Sequence, residues 1–203
     1  MLEHWLQANR DRLKEWLELV GYDYRHWTRP VMYERCAELI TALDPPRLDV
    51  LEISAGWYFQ GFPFRSFRSA DYPDYDVCRE ALPQQFDLII ADQVFEHLLW
   101  PYRAARHVCE MVKPGGHFLV TTPFLIRRHE IPFDCTRWTE TGMKHFLIEA
   151  GFEGDSMITG SWGNRACVKA NFKKWARRGW FGSLKNEPDF PVVVWALARR
   201  AAA

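Results

Sequence analysis

The chain has 203 residues, 48% hydrophobic and 26% charged, with 26 Lys/Arg against 26 Asp/Glu. That length suits one domain with a sizeable core, and that composition excludes a disordered chain. The cancelling charges provide no global field to recommend nucleic acid or an anionic membrane as partner. The five cysteines, Cys36, Cys78, Cys109, Cys135 and Cys167, are odd in number and form no CxxC pair. Neither a zinc site nor a disulfide framework is therefore indicated. No apolar run approaches a membrane span, and the N-terminus lacks a secretory profile, so the expected location is cytoplasmic.

Along the chain, Leu2, Trp5, Leu6, Leu13, Trp16, Leu17 and Val20 share one helical face, and Gly21 ends that helix. Pro30 opens a second helix, with apolar residues at helical spacing up to Leu43, and Asp44-Pro45-Pro46 stops it. The aromatic stretch from Tyr22 to Trp27 reads either as a cover closing over a ligand or as a hydrophobic staple between two helices. Strand patterns follow at 49–53, 67–70 and 86–91, then a helix from about Trp100 to Val112. Pro114-Gly115-Gly116 predicts a turn into a strand over 116–122, and residues 139–150 a helix ended by Gly151. Residues 157–159 and 191–198 complete six strand patterns. Strands alternating with helices predict a parallel sheet covered on both faces.

Four signals carry the function. The first is Val50-Leu51-Glu52-Ile53-Ser54-Ala55-Gly56, a buried strand that breaks into small residues beside a carboxylate. Such an ending lets a ligand approach the backbone. Asp71 then follows a short strand, and Phe86-Asp87 leads through Asp92-Gln93 to Glu96-His97-Leu98. The last is Lys113-Pro114-Gly115-Gly116. In this order they resemble the class I S-adenosylmethionine-dependent methyltransferases over roughly residues 30–160, about two thirds of the chain.

The resemblance implies a Rossmann-like, seven-stranded, mostly parallel sheet with an N-terminal helical extension. It implies a single domain: helices over 1–45, a cofactor-binding core over 46–160, a substrate-covering insertion over 161–190 and a last strand over 191–199. S-adenosylmethionine would be the cofactor, with no metal. Carried over, Glu52, Ser54, Ala55 and Gly56 lie under its methionine part, with Glu52 facing the amine. Asp71 faces the ribose, Asp76 borders the adenine, and Ala91, Asp92 and Gln93 reach the methionine end. Ser54 and Tyr58 stand where the family has glycines, which keeps open a binding or scaffold protein that retains the fold. A dinucleotide oxidoreductase is the other rival, although no full Gly-x-Gly-x-x-Gly is present.

Methyl transfer to a hydroxyl needs a general base, most simply His. The segment His129-Glu130-Ile131-Pro132-Phe133-Asp134-Cys135-Thr136-Arg137-Trp138-Thr139 follows a predicted strand end and crowds polar groups into a loop. It resembles a pattern in methyltransferases acting on small metabolites or glycans, which are the implied acceptors. His129 is the candidate base and His97 a second one. Asp134, Arg137 and Trp138, with Trp162 and Arg165 further on, are candidate substrate residues; an Asp134–Arg137 pair can equally brace the loop. From Gly163 onward nine Lys/Arg face two Asp/Glu, readable as a lid for an anionic acceptor or as a solvated basic face. An RNA-modifying role is disfavoured by the neutral total charge.

Overall fold

The computed structural model describes residues 22–54, 56–172 and 174–202. In chain order its strands are β1 (Asp23–His26), β2 (Asp49–Ile53), β3 (Ser66–Ala70), β4 (Phe86–Asp92), β5 (Val112–Pro123), β6 (Ile158–Trp162), β7 (Arg177–Gly179) and β8 (Val193–Arg199). The helices are α1 (Pro30–Thr41), α2 (Pro101–Met111), α3 (Glu140–Glu149) and α4 (Arg165–Ala170). The helix expected over 2–20 lies outside the described residues.

The six strand patterns read from the sequence form one sheet, ordered β3-β2-β4-β5-β8-β6. Strands β3, β2, β4 and β5 run parallel, and β8 is antiparallel to both β5 and β6. The expected seventh strand is not among the described residues. Residues 71–85, between β3 and β4, form turns without a helix or strand. That segment is itself the parallel crossover from β3 past β2 to β4, which takes a dozen or more residues, so none are left over for a further strand with a crossover of its own.

Side chains alternate across the central strands, so each face receives its own apolar set. Leu51, Ile53, Ile89, Ala91, Phe118 and Val120 pack with Ala104 and Val108 of α2 and Met143 and Phe146 of α3. Val50, Leu88, Ile90 and Leu119 pack instead with Met32, Cys36 and Ile40 of α1 and Cys167 of α4. Pro30 and Pro101 sit in the first turns of α1 and α2, where a missing N–H costs nothing. Thr139 caps α3 by accepting the Gly142 N–H at 3.1 Å.

Two local expectations change. Lys113-Pro114-Gly115-Gly116 is not a turn before β5 but an irregularity inside it. Phe86 pairs with Val112 and Leu88 already with His117, so the intervening residues bulge out of register. A Cβ on Gly116 would lie 2.9 Å from the Asp87 carbonyl oxygen, and Lys113 bonds the Asp87 and Asp49 carboxylates at 2.9 and 3.2 Å. This motif therefore serves strand packing. The 22–27 stretch, read as a cover or a staple, forms a strand: β1 pairs antiparallel with β7, and Trp27 Nε1 donates to the Ser183 carbonyl at 3.0 Å.

The topology gathers loops at one edge. The carboxyl ends of β2, β3, β4 and β5 lie there. Trp162 and Pro123 both pair with Val193, so residues 163–192 leave and re-enter the sheet at that same edge.

Candidate active site

At the end of β2, Glu52 lies opposite Ile90 of β4 and is fully buried. Its Oε1 accepts the Gly56 N–H at 3.3 Å, while Oε2 has no partner among the described residues. Burial, reinforced by the charges of Asp92 and Asp71, pushes its carboxyl up to about 7. An orphaned buried carboxylate oxygen beside a strand end suits an amine donor from a ligand. Ser54 takes φ +55°, the left-handed region, and its N–H donates to the Ala70 carbonyl at 3.0 Å. The position thus demands a glycine-like backbone that serine adopts under strain. Ser54→Gly is expected to raise stability by up to about 1 kcal/mol in denaturant titration, with cofactor affinity unchanged or improved. Ala55 lies outside the described residues.

Asp92 ends β4 and is bound from three sides. Tyr33 Oη donates to it at 2.7 Å, Thr121 Oγ1 bonds it, and Arg29 lies at 3.4 Å. The start of α1 is thereby locked onto the strand edge. Gln93 has φ +58° and bonds Thr121 through both its N–H and its side-chain amide, each at 3.0 Å. Tyr58 stacks on Tyr33 with ring centres 4.0 Å apart, leaving Trp57 77% exposed at the loop mouth. Asp71 is exposed at the end of β3. Asp76 accepts the Cys78 N–H at 2.9 Å and pairs with Arg79, and Ala91 is buried in the α2–α3 layer. Ala91 can therefore offer a ligand only its backbone.

Beyond β5, the loop at 124–137 brings His129 to His97, with ring centres 5.0 Å apart. The Cys135 N–H donates to the Glu96 carbonyl at 2.7 Å, pinning this loop to the turn after β4. Asp134 receives a two-pronged bond from Arg137 and the His129 N–H at 2.8 Å, and lies 3.6 Å from His129 Nδ1. Burial alone would raise the Asp134 carboxyl, but the Arg137 and His129 hydrogen bonds outweigh it and hold it below the usual carboxylate range. Burial also lowers His129, against the pull of Asp134. His97 bonds the Phe133 carbonyl through Nδ1, and its Nε2 lies 3.6 Å from Glu96 Oε1. Glu96 is fully buried, and burial pushes it up to about 8. Trp175, delivered by the 163–192 insertion, meets His129 edge-on at 5.2 Å and His26 at 6.0 Å.

Three substrate candidates stand elsewhere. Trp138 is 7% exposed and packs on Phe146 within the core. Trp162 is 2% exposed, with Nε1 donating to the Leu184 carbonyl at 2.9 Å. Arg165 points to solvent, where it pairs with Glu187 at 2.6 Å and covers Phe190. Each is committed to packing or to a surface pair, so none joins His129. The basic run is likewise partly engaged: Arg177 donates to the Tyr24 carbonyl and Arg178 pairs with Asp23.

Two concavities flank the strand edge. A cleft of about 300 Å³ is lined by Asp134, Arg137, Cys135 and Phe124. A groove of about 1310 Å³ runs along α1, lined by Arg25, Arg29, Tyr33, Trp57, Tyr58 and Arg177 among others. The larger one does not reach Glu52 or His129. Glu52, Glu96, His97 and His129 at the strand ends thus lie outside the groove lining. Arg29, Tyr33 and Trp175 are the site residues that sequence reasoning missed. Arg29-Pro30 marked only a helix start, and Trp175 stood as one of several aromatics beside charge.

The fold is shared with solved methyltransferases. An S-adenosylmethionine-dependent methyltransferase from Mesorhizobium loti is 17% identical with a TM-score of 0.54, over 80% of this chain and 96% of that one. The CurJ carbon methyltransferase is 14% identical with a TM-score of 0.54, over 85% of this chain and 54% of that one. The N-methyltransferase NodS from Bradyrhizobium japonicum WM9, solved with S-adenosyl-L-homocysteine, is 17% identical with a TM-score of 0.50, over 84% and 88%. No curated protein matches the sequence, and no helix among the described residues is long and apolar enough to cross a membrane. Residues 3–156 match the family described as "Methyltransferase domain". The chain belongs to that family, and is a class I S-adenosylmethionine-dependent methyltransferase.

Proposed function

We propose that the protein methylates an oxygen of a small-molecule or glycan-type acceptor. His129 carries this reading: a partly shielded imidazole at the strand edge, backed by an ionised carboxylate. When bound, S-adenosylmethionine supplies an activated methyl sulfonium, so the protein must align the acceptor and remove its proton. Glu52, with its free Oε2, would hold the cofactor amine, while Gly56 and Ser54 line the same loop. Asp71 would take the ribose hydroxyls.

Because burial lowers His129, its ring is neutral near pH 7 and can accept a proton. The Asp134 carboxylate, 3.6 Å from Nδ1, stabilises the imidazolium through its charge as it forms. Trp175 shields the imidazole and excludes water. Residues 161–190 would then act as the substrate cover, with the aromatic and arginine-lined groove along α1 as the approach.

The test is transfer of label from tritiated S-adenosylmethionine to a panel of hydroxyl, carboxyl, amine and activated-carbon acceptors. Label in ethers of hydroxyl acceptors is expected. Label confined to amines or carbon acceptors would overturn oxygen transfer and leave the family assignment intact.

A further inference from the structure

Glu96, His97 and His129 each offer one ligand atom, and these atoms all lie within 4.8 Å of one another. Glu96 is fully buried, yet neither carboxylate oxygen has a hydrogen-bond partner among the described residues. Burying a carboxyl with both oxygens unsatisfied is costly, so the arrangement calls for something that completes it.

The two imidazoles are prepared in a complementary way. His97 Nδ1 donates to the Phe133 carbonyl, which leaves the lone pair on Nε2, 3.6 Å from Glu96 Oε1. A ring N–H spent on a backbone carbonyl is how a metal-bound histidine is usually oriented. His129 Nδ1 is buried with no hydrogen-bond partner among the described residues, and the Asp134 carboxylate lies 3.6 Å from it. The Cys135 and Thr136 N–H groups both donate to the Glu96 carbonyl, so the loop and the turn bearing these ligands are fixed together. Arg29 and Arg137 also lie near the cluster, paired with Asp92 and Asp134 respectively.

We infer that Glu96, His97 and His129 bind a divalent transition-metal ion of the Zn²⁺ type. Two imidazole nitrogens and one carboxylate oxygen suit that ion, and three protein ligands leave a coordination position open. A tetrahedral site with bonds of about 2.0–2.2 Å holds its donors roughly 3.4 Å apart. The Glu96–His97 pair, at 3.6 Å, lies close to this, and the His129 ligand atom is within 4.8 Å of both. An ion bound through His129 takes the lone pair that the proposed base uses, so in the metal-loaded chain the ion at its open position would acidify the acceptor hydroxyl in place of His129; metal binding itself does not depend on the methyl-transfer reading.

The full chain, stripped with a chelator, is titrated with Zn²⁺ by calorimetry and with Co²⁺ by visible absorption. One ion per chain is expected, bound at micromolar affinity or tighter, with a Co²⁺ spectrum of four- or five-coordinate nitrogen and oxygen ligands. Glu96→Gln, His97→Ala and His129→Ala should each weaken binding at least ~100-fold. His145→Ala, an exposed histidine on α3, should leave it unchanged. If His97→Ala fails to fold by thermal unfolding, Glu96→Gln and His129→Gln decide. Absence of stoichiometric binding, undiminished binding in Glu96→Gln, or a thiolate charge-transfer band would overturn the site. S-adenosylhomocysteine binding without metal binding refutes this site alone; metal binding without S-adenosylhomocysteine binding refutes the cofactor reading alone.

Discussion

Replacing Glu52 by Gln should weaken S-adenosylhomocysteine binding by about 10–100-fold and flatten its pH dependence below neutrality. The magnitude is that of one charge-assisted hydrogen bond in a buried setting. The pH window follows from burial, which lifts the free protein's Glu52 to about 7, with Asp92 and Asp71 pushing the same way. A carboxyl raised above its unfolded value of about 4.3 favours the protonated fold. Its contribution is complete below that value and is lost as pH rises through 7. A cationic amine reverses the preference, because it binds the ionised carboxylate. Affinity should therefore climb by up to about tenfold per pH unit below 7, then level off. It should fall again only well above neutrality, once the ligand's own amine loses its proton. Isothermal titration at half-unit steps of pH reads all three limbs. A flat wild-type profile would remove Glu52 from the amine.

His129→Ala should lower turnover by roughly 10²–10⁴-fold while leaving S-adenosylhomocysteine affinity nearly unchanged. A base must be unprotonated to work, so wild-type turnover should rise with pH through the His129 value. Burial places that rise below the usual imidazole range. The variant should lose this limb. Equal losses of turnover and affinity would instead make His129 a support of the cofactor loop. Asp134→Asn should move the same limb further down, because the carboxylate no longer favours the imidazolium, at a smaller cost in rate.

The parts of the fold legible in the sequence were those with local periodicity. The apolar runs at 49–53 and 86–91, the Thr139 cap and the Pro-started helices all lie where spacing places them. Contacts between distant segments were not legible. Asp23 pairs with Gly179 across the β1–β7 ribbon, and Tyr33 reaches Asp92 over fifty-nine positions. Nothing local in either partner announces them. Trp138 and Trp162 became substrate candidates through their position in the chain, which does not record where a ring is packed, and here both lie in the core. The seventh strand, not found among the described residues, reflects resemblance carried past the residues: segment 71–85 held no strand pattern of its own. Sequence order put Glu52 and Asp92 on strand ends, His97 in the turn after β4 and His129 in the loop beyond β5, where they lie. The orphaned oxygens of Glu52 and Glu96 are properties of packing, which no motif records.

The most direct measurement is calorimetric titration of the full chain with S-adenosylhomocysteine at pH 6 and pH 7.5, beside Glu52→Gln. Saturable one-to-one binding is expected, tighter at the higher pH in the native chain and weaker in the variant. No binding heat and no rise in the unfolding midpoint at either pH would contradict a cofactor site at the β2 strand end.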